Sequence, residues 1–598
     1  MGQAMSDEPP RQQSREELTK RLAVTFKDKC FSSLEFYLLK AAFESLADRQ
    51  GNVRYLKEDS VARFLEIPDI IGAAPVIFQM ISYIGAFPFL HDAPAVLELP
   101  QLIIVLVIMT ERYRKVLARG ASDRNRLFFK ALAVHDKKVA ETGSSADEAA
   151  KQASSSNAGF GIDQAANDDD DEDDEDLVLT AFELLDIDDA FKQGDPPPSH
   201  GAMIPPDNFR KILMLLLLAA PMAGDERLSQ YSDHASGESL EALRATAESI
   251  LAAFVDVETS PGIRYSRFKS VVPTLLPNLF RGFNGIFEHF LFAQDLGLSK
   301  HKGDEEKPEP AKAVQPLLPQ VGEILNEHSL AQLSFFIPGD SLFRRVRPLY
   351  SGNEAGFSMG SFETKVFNWR APTLVLVRGT RISSVPDGGR ESAFADMLPP
   401  KRFPDGSKSD RLTFGVYIRE PWKHTHRECF GDSDTVLFQL EPVHDVFAAS
   451  TLNTDYVTFT KPPANDPCLS FGGAHPHPTK SGRRNGVLPM GSVSLTLDGS
   501  FEFGVFNHDF TSRGGAFQTS SIRQFNFQDR FQVESLEVWG CGGDKEAKAQ
   551  ADRWAWEAKE AEARRKINLG SGDIEADRAL LEMAGLVGGG NRSGGSMA

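Results

Sequence analysis

Histidine and cysteine side chains that could bind zinc or act in nucleophilic catalysis gather in one part of the chain. His424, His426 and Cys429 lie close together, and His475 and His477 form a second His-x-His pair. Imidazole nitrogen and thiolate sulfur are the ligands that zinc prefers. No acidic ligand stands at a defining spacing, and both pairs fall where loops are expected, so exposed loop histidines are favoured over zinc. A nucleophile at Cys429 would have no recognisable orienting residue, so the sequence predicts no metal, no cofactor and no catalytic residue.

A calcium site is the second chemistry that the sequence raises. Between two apolar helical stripes, the segment from Asp48 to Asp59 has the length of an EF-hand loop, with carboxylates at its first and last positions. A working loop needs glycine at position 6 for its sharp turn and a bidentate glutamate at position 12. Here Val53 stands at position 6 and the shorter Asp59 at position 12. The segment is therefore predicted to be a degenerate helix–loop–helix scaffold rather than a calcium site.

The first residues match a lipidation pattern. Gly2 follows the initiator methionine and Ser6 occupies the favoured hydroxyl position, which is the pattern for N-myristoylation. An ordinary disordered start is the alternative, because the pattern is short. One myristoyl chain gives only marginal, reversible membrane binding, so a protein partner would supply the remaining affinity. The start lacks the apolar region of a secretory signal, and the longest apolar stretches, Leu102–Met109 and Ile212–Ala223, are too short to span a bilayer.

A charged terminal helix is predicted over residues 544–569. Alanines recur along it at alternating spacings of four and three, with Trp554 as the large side chain in the stripe. Such a seam allows a neighbouring helix to approach closely, and the basic residues near its end complement the helix dipole. Two alternatives stay open: the helix packs on its own domain or stands in solvent, or it binds a partner through a tryptophan hot spot. The residues predicted to contact that partner are Ala547, Ala551, Trp554, Trp556, Ala558, Arg564 and Arg565.

The charge balance argues against some classes of protein. The chain has 598 residues, with 65 Lys and Arg against 84 Asp and Glu, and a formal net charge of −19. Nine acidic residues form the unbroken run Asp168–Asp176, so the remainder carries about −10 (−19 + 9). No basic patch compensates, which disfavours direct binding to nucleic acid. Four cysteines without paired spacing exclude a disulfide scaffold and a cysteine-based zinc module.

The periodicity along the chain predicts an α+β protein. Helical spacing dominates the first half, and strand-length apolar runs dominate from Leu317. Asp498-Gly499 is predicted to be a two-residue hairpin turn between Val493–Leu497 and Phe501–Val505. The predicted units are a disordered tail with the lipidation pattern (1–15), a helical EF-hand-like region (16–135), a disordered acidic linker (136–176), a second helical region (177–298), a linker (299–316), a strand-rich domain (317–543), the charged helix (544–569) and a mostly flexible tail (570–598).

Seven short motifs are distributed through the strand-rich region. They are Ser341–Tyr350, Gly356–Ser358, Ala371–Val377, Phe430–Phe438, Leu469–Gly473, Leu497–Ser500 and Leu536–Trp539. In order and spacing they resemble the TLDc domain of the oxidation-resistance and nuclear-receptor-coactivator group, over residues 318–543. The resemblance implies an antiparallel β-sandwich with flanking helices. Three stretches lengthen the family's loops, and their Pro-, Gly-, Lys- and Arg-rich composition predicts disorder; these are Ser383–Ser409, Lys461–Pro467 and Ala474–Met490.

The resemblance also implies a function. Related TLDc proteins use the domain and a following helix to engage the vacuolar proton-pumping V-type ATPase, and some favour disassembly of its soluble and membrane sectors. It therefore implies a non-enzymatic regulator with V-type ATPase subunits as partners, located in the cytoplasm and held at the vacuolar membrane by acylated Gly2. No small-molecule substrate and no direct contact with nucleic acid are expected. The alternative is a stress-response or telomere-capping-related cytoplasmic interaction protein that acts indirectly.

Overall fold

The computed structural model describes the chain in segments separated by gaps. The described residues are 15–51, 53–90, 97–116, 123–135, 202–223, 226–256, 260–292, 316–339, 342–382, 388–425, 428–461, 467–473, 488, 490–542 and 544–565. Gly2, the predicted acidic linker, nearly all of the second predicted linker and the predicted C-terminal tail lie outside them.

Helices fill the first half of the described chain, and strands fill most of the second half. The helices are α1 Arg15–Cys30, α2 Ser33–Leu46, α3 Glu58–Phe64, α4 Ala74–Gly85, α5 Leu99–Met109, α6 Asp123–Leu132, α7 Pro206–Ala219, α8 Gly237–Phe254, α9 Tyr265–Leu275, α10 Gly282–Glu288, α11 Glu327–Ser334, α12 Gly352–Ala355, α13 Met359–Val366, α14 Arg390–Asp396 and α15 Asp544–Arg565. The strands are β1 Asp48–Gln50, β2 Val53–Tyr55, β3 Val134–His135, β4 Ala202–Ile204, β5 Ile263–Arg264, β6 Val346–Ser351, β7 Thr373–Arg381, β8 Arg411–Ile418, β9 Val436–Glu441, β10 Asp445–Ala448, β11 Val457–Thr460, β12 Cys468–Phe471, β13 Val493–Asp498, β14 Phe503–His508 and β15 Phe527–Cys541. Among the described helices, none has both the length and the apolar character needed to cross a membrane.

The helical segments before residue 136 and after residue 201 share one hydrophobic core. The ring of Phe128 in α6 packs against Phe280 and Phe283 at the start of α10, with centroid distances of 4.9 and 5.8 Å. A short sheet joins the same segments, because β3 pairs with β4 and β4 pairs with β5. The described parts of residues 15–135 and 202–292 are therefore one packed unit, which we call the helical region.

The helix–loop–helix units of the helical region are joined in pairs by backbone pairing between their loops. Leu56, which precedes α3, forms an antiparallel bridge with Leu97, which precedes α5. In the same way Ile204, before α7, pairs with Ile263, before α9. Pairing of two loops through one short antiparallel contact lets each unit bury the open side of the other, and it aligns the four helices around a shared core.

The predicted degenerate EF-hand loop folds as a β-hairpin. Strands β1 and β2 pair through Asp48↔Tyr55 and Gln50↔Val53. The carboxylate of Asp48 lies 3.2 Å from Nζ of Lys57, so a cation of the chain itself sits beside the first candidate ligand. The hairpin therefore connects α2 to α3 as a scaffold.

A single antiparallel network of ten strands forms the second half, with the longest strand, β15, at its centre. The order is β10-β9-β8-β7-β15-β14-β13-β12-β11, and β6 pairs with the C-terminal part of β15 beyond β14. The rings of Phe414 in β8 and Phe506 in β14 stack at 4.6 Å although these strands are not neighbours in the network. The network therefore folds over on itself into two layers with a core between them. This confirms the α+β class and the antiparallel β-domain that the sequence predicts.

The predicted hairpin around Asp498 forms, but the prediction of a two-residue turn is wrong. Leu497 pairs with Gly504, so the turn runs through residues 499–502. The side chain of Asp498 accepts hydrogen bonds from the backbone N–H groups of Glu502 (2.9 Å) and Phe503 (2.8 Å). Phe501 belongs to the turn rather than to a strand, with a positive φ of 57° and a fully buried ring. The ring fills the core beneath the turn, which outweighs the conformational cost of positive φ.

The prediction of disorder for Ser383–Ser409 is wrong over its described part, residues 388–409. This segment contains α14, and its side chains Phe394 and Leu398 are buried in a small cluster with Phe503 and Val505 of β14. The rings of Phe394 and Phe503 stack at 5.2 Å. The buried rings and side chains of this cluster, together with hydrogen bonds such as that from Nη2 of Arg530 to the carbonyl of Pro399, hold the segment on the sheet. Residues 383–387, 462–466, 474–487 and 489 of the three predicted insertions lie outside the described residues.

Candidate functional site

Helix α15 leaves the sheet directly over a buried tryptophan. Trp369 is 1% exposed, and its indole Nε1 donates a hydrogen bond of 3.0 Å to the carbonyl of Pro372. A Cβ placed on Gly540 would lie 2.4 Å from Cε2 of this ring, and one on Gly542 would lie 2.9 Å from Cζ2. Only glycine allows the backbone to pass this close to the indole. Trp369 and the two glycines thus set where the helix starts.

The first turns of α15 are docked on the β-domain. Ala547 packs against the core between the two layers. Gln550, three residues later and 4% exposed, donates a hydrogen bond of 3.0 Å from Nε2 to the carbonyl of Lys365 in α13. Residues three apart on a helix share a face, so Ala547 and Gln550 form the side that contacts the domain.

The opposite side of α15 faces solvent and carries an exposed indole. Trp556 is 63% exposed, whereas the indoles of Trp369, Trp422 and Trp539 are buried. The other exposed side chains of α15 are Lys545, Lys548, Ala549, Ala551, Asp552, Arg553, Ala555 and Lys559. An exposed aromatic residue with a rim of charged residues is the composition of a protein–protein hot spot. We call these residues with Trp556 the exposed face of α15.

The predicted partner-binding residues divide between these two sides. Ala547 contacts the β-domain, and Ala551 and Trp556 lie on the exposed face. The backbone of Trp554, Ala558, Arg564 and Arg565 belongs to the helix, but their side chains, like Gly2, lie outside the description. That these residues bind a partner stays a prediction. Sequence reasoning missed Gln550, whose only signal was its position one turn after Ala547.

The histidines and the cysteine considered for zinc make other contacts. Nε2 of His424 lies 2.8 Å from Oε1 of Glu363, and Lys461 lies against the other carboxylate oxygen. Partial burial would raise the pKa of Glu363, but the hydrogen bond from Lys461 and the nearby His424 outweigh it and lower that pKa. Sγ of Cys429 lies 3.1 Å from Oγ1 of Thr458. Across the described ranges no group of three His, Cys, Asp or Glu side chains is placed to hold a metal ion. His426, His475 and His477 lie outside those ranges.

Three of the four thiols are poor nucleophiles at neutral pH. Burial raises the pKa of Cys429 and of Cys30 to about 11, and that of Cys541 to about 12. The thiolate is the reactive form of cysteine, so these side chains are protonated and unreactive near pH 7. Their environments are those of structural cysteines.

A cleft of about 400 Å³ opens beside the turn that follows β13. Its lining includes Phe357 and Phe503, and its rim carries Arg390, which pairs with Glu502. The residues come from separate segments of the β-domain, so no local sequence pattern marks the cleft. It combines aromatic walls with an ion pair at its mouth.

Comparison with known proteins gives one consistent result. Residues 318–542 match the model of the TLDc domain. The chain is 67% identical to restriction of telomere capping protein 5 of Fusarium vanettenii and 62% identical to that of Colletotrichum graminicola, in each case over 100% of both chains. The protein of the same name from Neurospora crassa is 53% identical, again over 100% of both chains. The chain therefore belongs to the family of restriction of telomere capping protein 5, a family with a TLDc domain.

Proposed function

We propose that the chain is a non-enzymatic regulator that binds the V-type ATPase at the vacuolar membrane and modulates the assembly of the soluble and membrane sectors of this pump. The observation that carries the proposal is the exposed face of α15. Trp556 is 63% exposed on a helix whose first turns are fixed to the β-domain by Ala547 and Gln550. A tryptophan side chain has only two rotatable bonds, so it offers a large contact area at a low cost in conformational entropy. Resemblance to TLDc proteins that engage this pump supplies the partner.

The chemistry of the described residues supports a role without catalysis. The thiols of Cys30, Cys429 and Cys541 are protonated near neutral pH because burial raises their pKa values. The imidazole of His424 is engaged by Glu363 rather than by a nucleophile. A general base must lie within hydrogen-bond reach of the proton that it removes. The regulator therefore acts through binding.

The partner is tested by capture from solubilised vacuolar membranes with the full chain as bait. The bait is expected to enrich V-type ATPase subunits. Trp556→Ala should weaken capture by roughly 30-fold, which is the effect of losing a hot spot of about 2 kcal/mol. Lys559→Ala, on the same exposed face, is the matched control and should stay within about twofold of the wild type. Equal capture by the wild type and Trp556→Ala, or no enrichment over an unrelated bait, would overturn the proposal.

Membrane location is tested at Gly2 separately. Acylation there should add the mass of one C14 chain to the intact N-terminal peptide, and Gly2→Ala should release the protein from vacuolar membranes. Retention of Gly2→Ala together with an unmodified wild-type peptide would remove the lipid from the proposal. It would leave the test of Trp556 unaffected, because that capture uses solubilised membranes.

The name of the relatives favours one second candidate, a telomere-capping-related role that is indirect. The net charge of −19 opposes contact with phosphate groups, because nucleic-acid binding rests on clustered cations. The chain is expected to show no shift of a duplex DNA probe at about 0.15 M salt, where exposed charges are screened beyond about 8 Å. A stable complex at that salt concentration would favour direct binding instead.

A further inference from the structure

The loop between α8 and α9 has the layout of an EF-hand loop. Asp256 is the first residue with a side-chain oxygen after α8, and its carbonyl accepts a hydrogen bond of 2.9 Å from the backbone N–H of Ser260. Counted from Asp256, Ile263 is at position 8, where it pairs with Ile204 of the neighbouring loop. Helix α9 then begins at position 10. Position 12, which closes a calcium loop with a bidentate glutamate, is Arg267.

Asp256, Glu258 and Ser260 supply oxygens at positions 1, 3 and 5, but the residues at positions 6, 9 and 12 do not fit a calcium ion. Pro261 stands at position 6, where the sharp turn calls for glycine, and Arg264 stands at position 9. At position 12 the guanidinium of Arg267 replaces the carboxylate that would supply two oxygen ligands. A fixed positive charge at this place repels a divalent cation rather than binding it.

Arg267 instead connects the helical region to the β-domain. Its Nε donates a hydrogen bond of 3.0 Å to the carbonyl of Ala253 at the end of α8, and its Nη1 donates one of 3.2 Å to the carbonyl of Ile522. Ile522 belongs to the β-domain by sequence but is buried in the core of the helical region. Burial lowers the pKa of Arg267, and the charge of Asp445 in β10 opposes that change. One side chain thus bridges α8, α9 and the segment before β15.

The turn between β9 and β10 contacts the same two helices. The backbone N–H of His444 donates a hydrogen bond of 2.9 Å to the carbonyl of Ser249 in α8. The ring of His444 is fully buried, with Nε2 3.4 Å from the carbonyl of Leu275 in α9 and Nδ1 3.1 Å from the amide nitrogen of Gln332 in α11. This arrangement makes Nε2 the donor to Leu275 and Nδ1 the acceptor from Gln332.

A buried ion pair holds the β-domain side of this interface. Asp445 is fully buried, and its Oδ2 accepts hydrogen bonds from Nε of Arg523 (2.9 Å) and from the hydroxyl of Ser520 (2.7 Å). Nη2 of the same arginine donates 2.8 Å to Oε1 of Gln439 in β9. The pair fixes the segment that presents the Ile522 carbonyl to Arg267, since Arg523 follows it directly.

We infer that the helix–loop–helix unit formed by α8 and α9 does not bind a cation and serves instead as a fixed contact with the TLDc domain, made by Arg267 and the β9–β10 turn. The helical region and the TLDc domain are then one cooperative unit that does not respond to calcium. A partner bound to the TLDc domain is therefore held in a fixed position relative to the helical region. The inference stands apart from the identity of the partner at α15.

Hydrogen–deuterium exchange on the full chain tests the contact. Arg267→Gln removes the charged donors to Ala253 and Ile522, so amides of residues 444–448 and 520–523 should exchange roughly tenfold faster. Arg264→Gln, which replaces an exposed arginine of β5, is the control and should leave them within about twofold. Amides of residues 496–503, at the turn end of the β13–β14 hairpin, report whether the domain remains folded. Unchanged exchange at 444–448 and 520–523 in Arg267→Gln would overturn the inference.

A milder variant covers the case in which Arg267→Gln unfolds the chain. Arg267→Lys keeps the charge but cannot make both hydrogen bonds in the same geometry, and it should give the same localised increase in exchange with an unchanged hairpin. If exchange in Arg267→Lys equals that of the wild type at both the hairpin and the interface, the inference is overturned here too.

The absence of a response to calcium is tested by comparing exchange in a chelator with exchange in 1 mM CaCl2, a concentration set roughly at the weak end of EF-hand affinities. No change in exchange is expected, whereas calcium-dependent protection around Asp256 that is lost in Asp256→Asn would contradict it.

Discussion

At the scale of single residues, one buried carboxylate fixes the first segment of the TLDc domain. Glu537 in β15 is 3% exposed and accepts hydrogen bonds from the backbone N–H groups of Ile324 (3.1 Å) and Leu325 (3.2 Å). The indole Nε1 of Trp539 donates to it at 3.0 Å. A Cβ on Gly322 would lie 2.7 Å from both carboxylate oxygens. The motif Leu536–Trp539 therefore anchors the segment that precedes α11, because a buried carboxylate is tolerated only with such donors.

Glu537→Gln is expected to lower the free energy of unfolding by about 2 kcal/mol. Both carboxylate oxygens accept hydrogen bonds from N–H groups. In glutamine an NH2 group replaces one of these oxygens, and two hydrogen-bond donors would then face each other. Urea unfolding followed by tryptophan fluorescence measures the change. Glu534→Gln, an exposed position in the same strand, serves as control and should change stability by less than about 0.5 kcal/mol. Equal midpoints for Glu537→Gln and the wild type would show that the carboxylate is not needed.

Elements with a strong local period were predictable from the sequence, and those fixed by distant contacts were not. The strands around Val375, Val416 and Leu437 follow from apolar runs of strand length. The error at Phe501 has a physical cause, because a buried turn residue continues the alternation of Phe503 and extends the apparent strand. Composition cannot reveal such a residue, since its burial depends on the layer that faces it.

The candidate site shows the same division. The period and charge of its sequence predict α15 as a helix, and Trp556 is among the residues predicted to bind a partner. Which side of the helix docks depends on Gln550 reaching the carbonyl of Lys365, a contact across 185 positions of the chain. No pattern within the helix encodes that contact. The surface left for a partner is therefore known only once the docked side is known.

At the scale of elements, the packing of helix α14 on β14 can be tested by its effect on stability. Phe394→Ala is expected to cost about 3 kcal/mol of unfolding free energy, because the ring is 3% exposed and stacks on Phe503. Arg390→Ala, in the same helix with a side chain 79% exposed, should change the free energy by less than about 0.5 kcal/mol. Chemical denaturation of both variants measures the difference. Loss below about 0.5 kcal/mol in Phe394→Ala would mean that the segment contributes no packing, as its composition alone predicts.

At the scale of the whole molecule, two buried histidines lie where the helical region meets the TLDc domain. His328 at the start of α11 is 3% exposed, and its Nε2 lies 2.8 Å from the hydroxyl of Ser239 in α8. His444 in the β9–β10 turn is fully buried. Burial lowers the pKa of each to about 4, with the nearby His234 adding to the effect at His328. Both side chains are neutral in the folded chain at pH 7 and must stay neutral for the interface to remain closed.

Acidification is therefore expected to weaken the interface. In the unfolded chain both histidines take up a proton near pH 6.5, whereas in the folded chain they resist protonation down to about pH 4. The unfolded state binds more protons in that window. The free energy of unfolding is therefore highest above pH 6.5, as far as these two histidines determine it, and falls as the pH drops below that value. By pH 5 the loss should reach about 1–2 kcal/mol for each histidine. Urea midpoints at pH 7.5, 6 and 5 measure it. Burial also lowers the pKa of His289 and of His508, so His328→Gln should remove only its own share of the pH dependence. His234→Gln, a half-buried neighbour, should leave most of it. A midpoint that is flat between pH 7.5 and 5 would contradict the burial of these rings at a closed interface, and a slope unchanged in His328→Gln would assign the pH dependence to other groups.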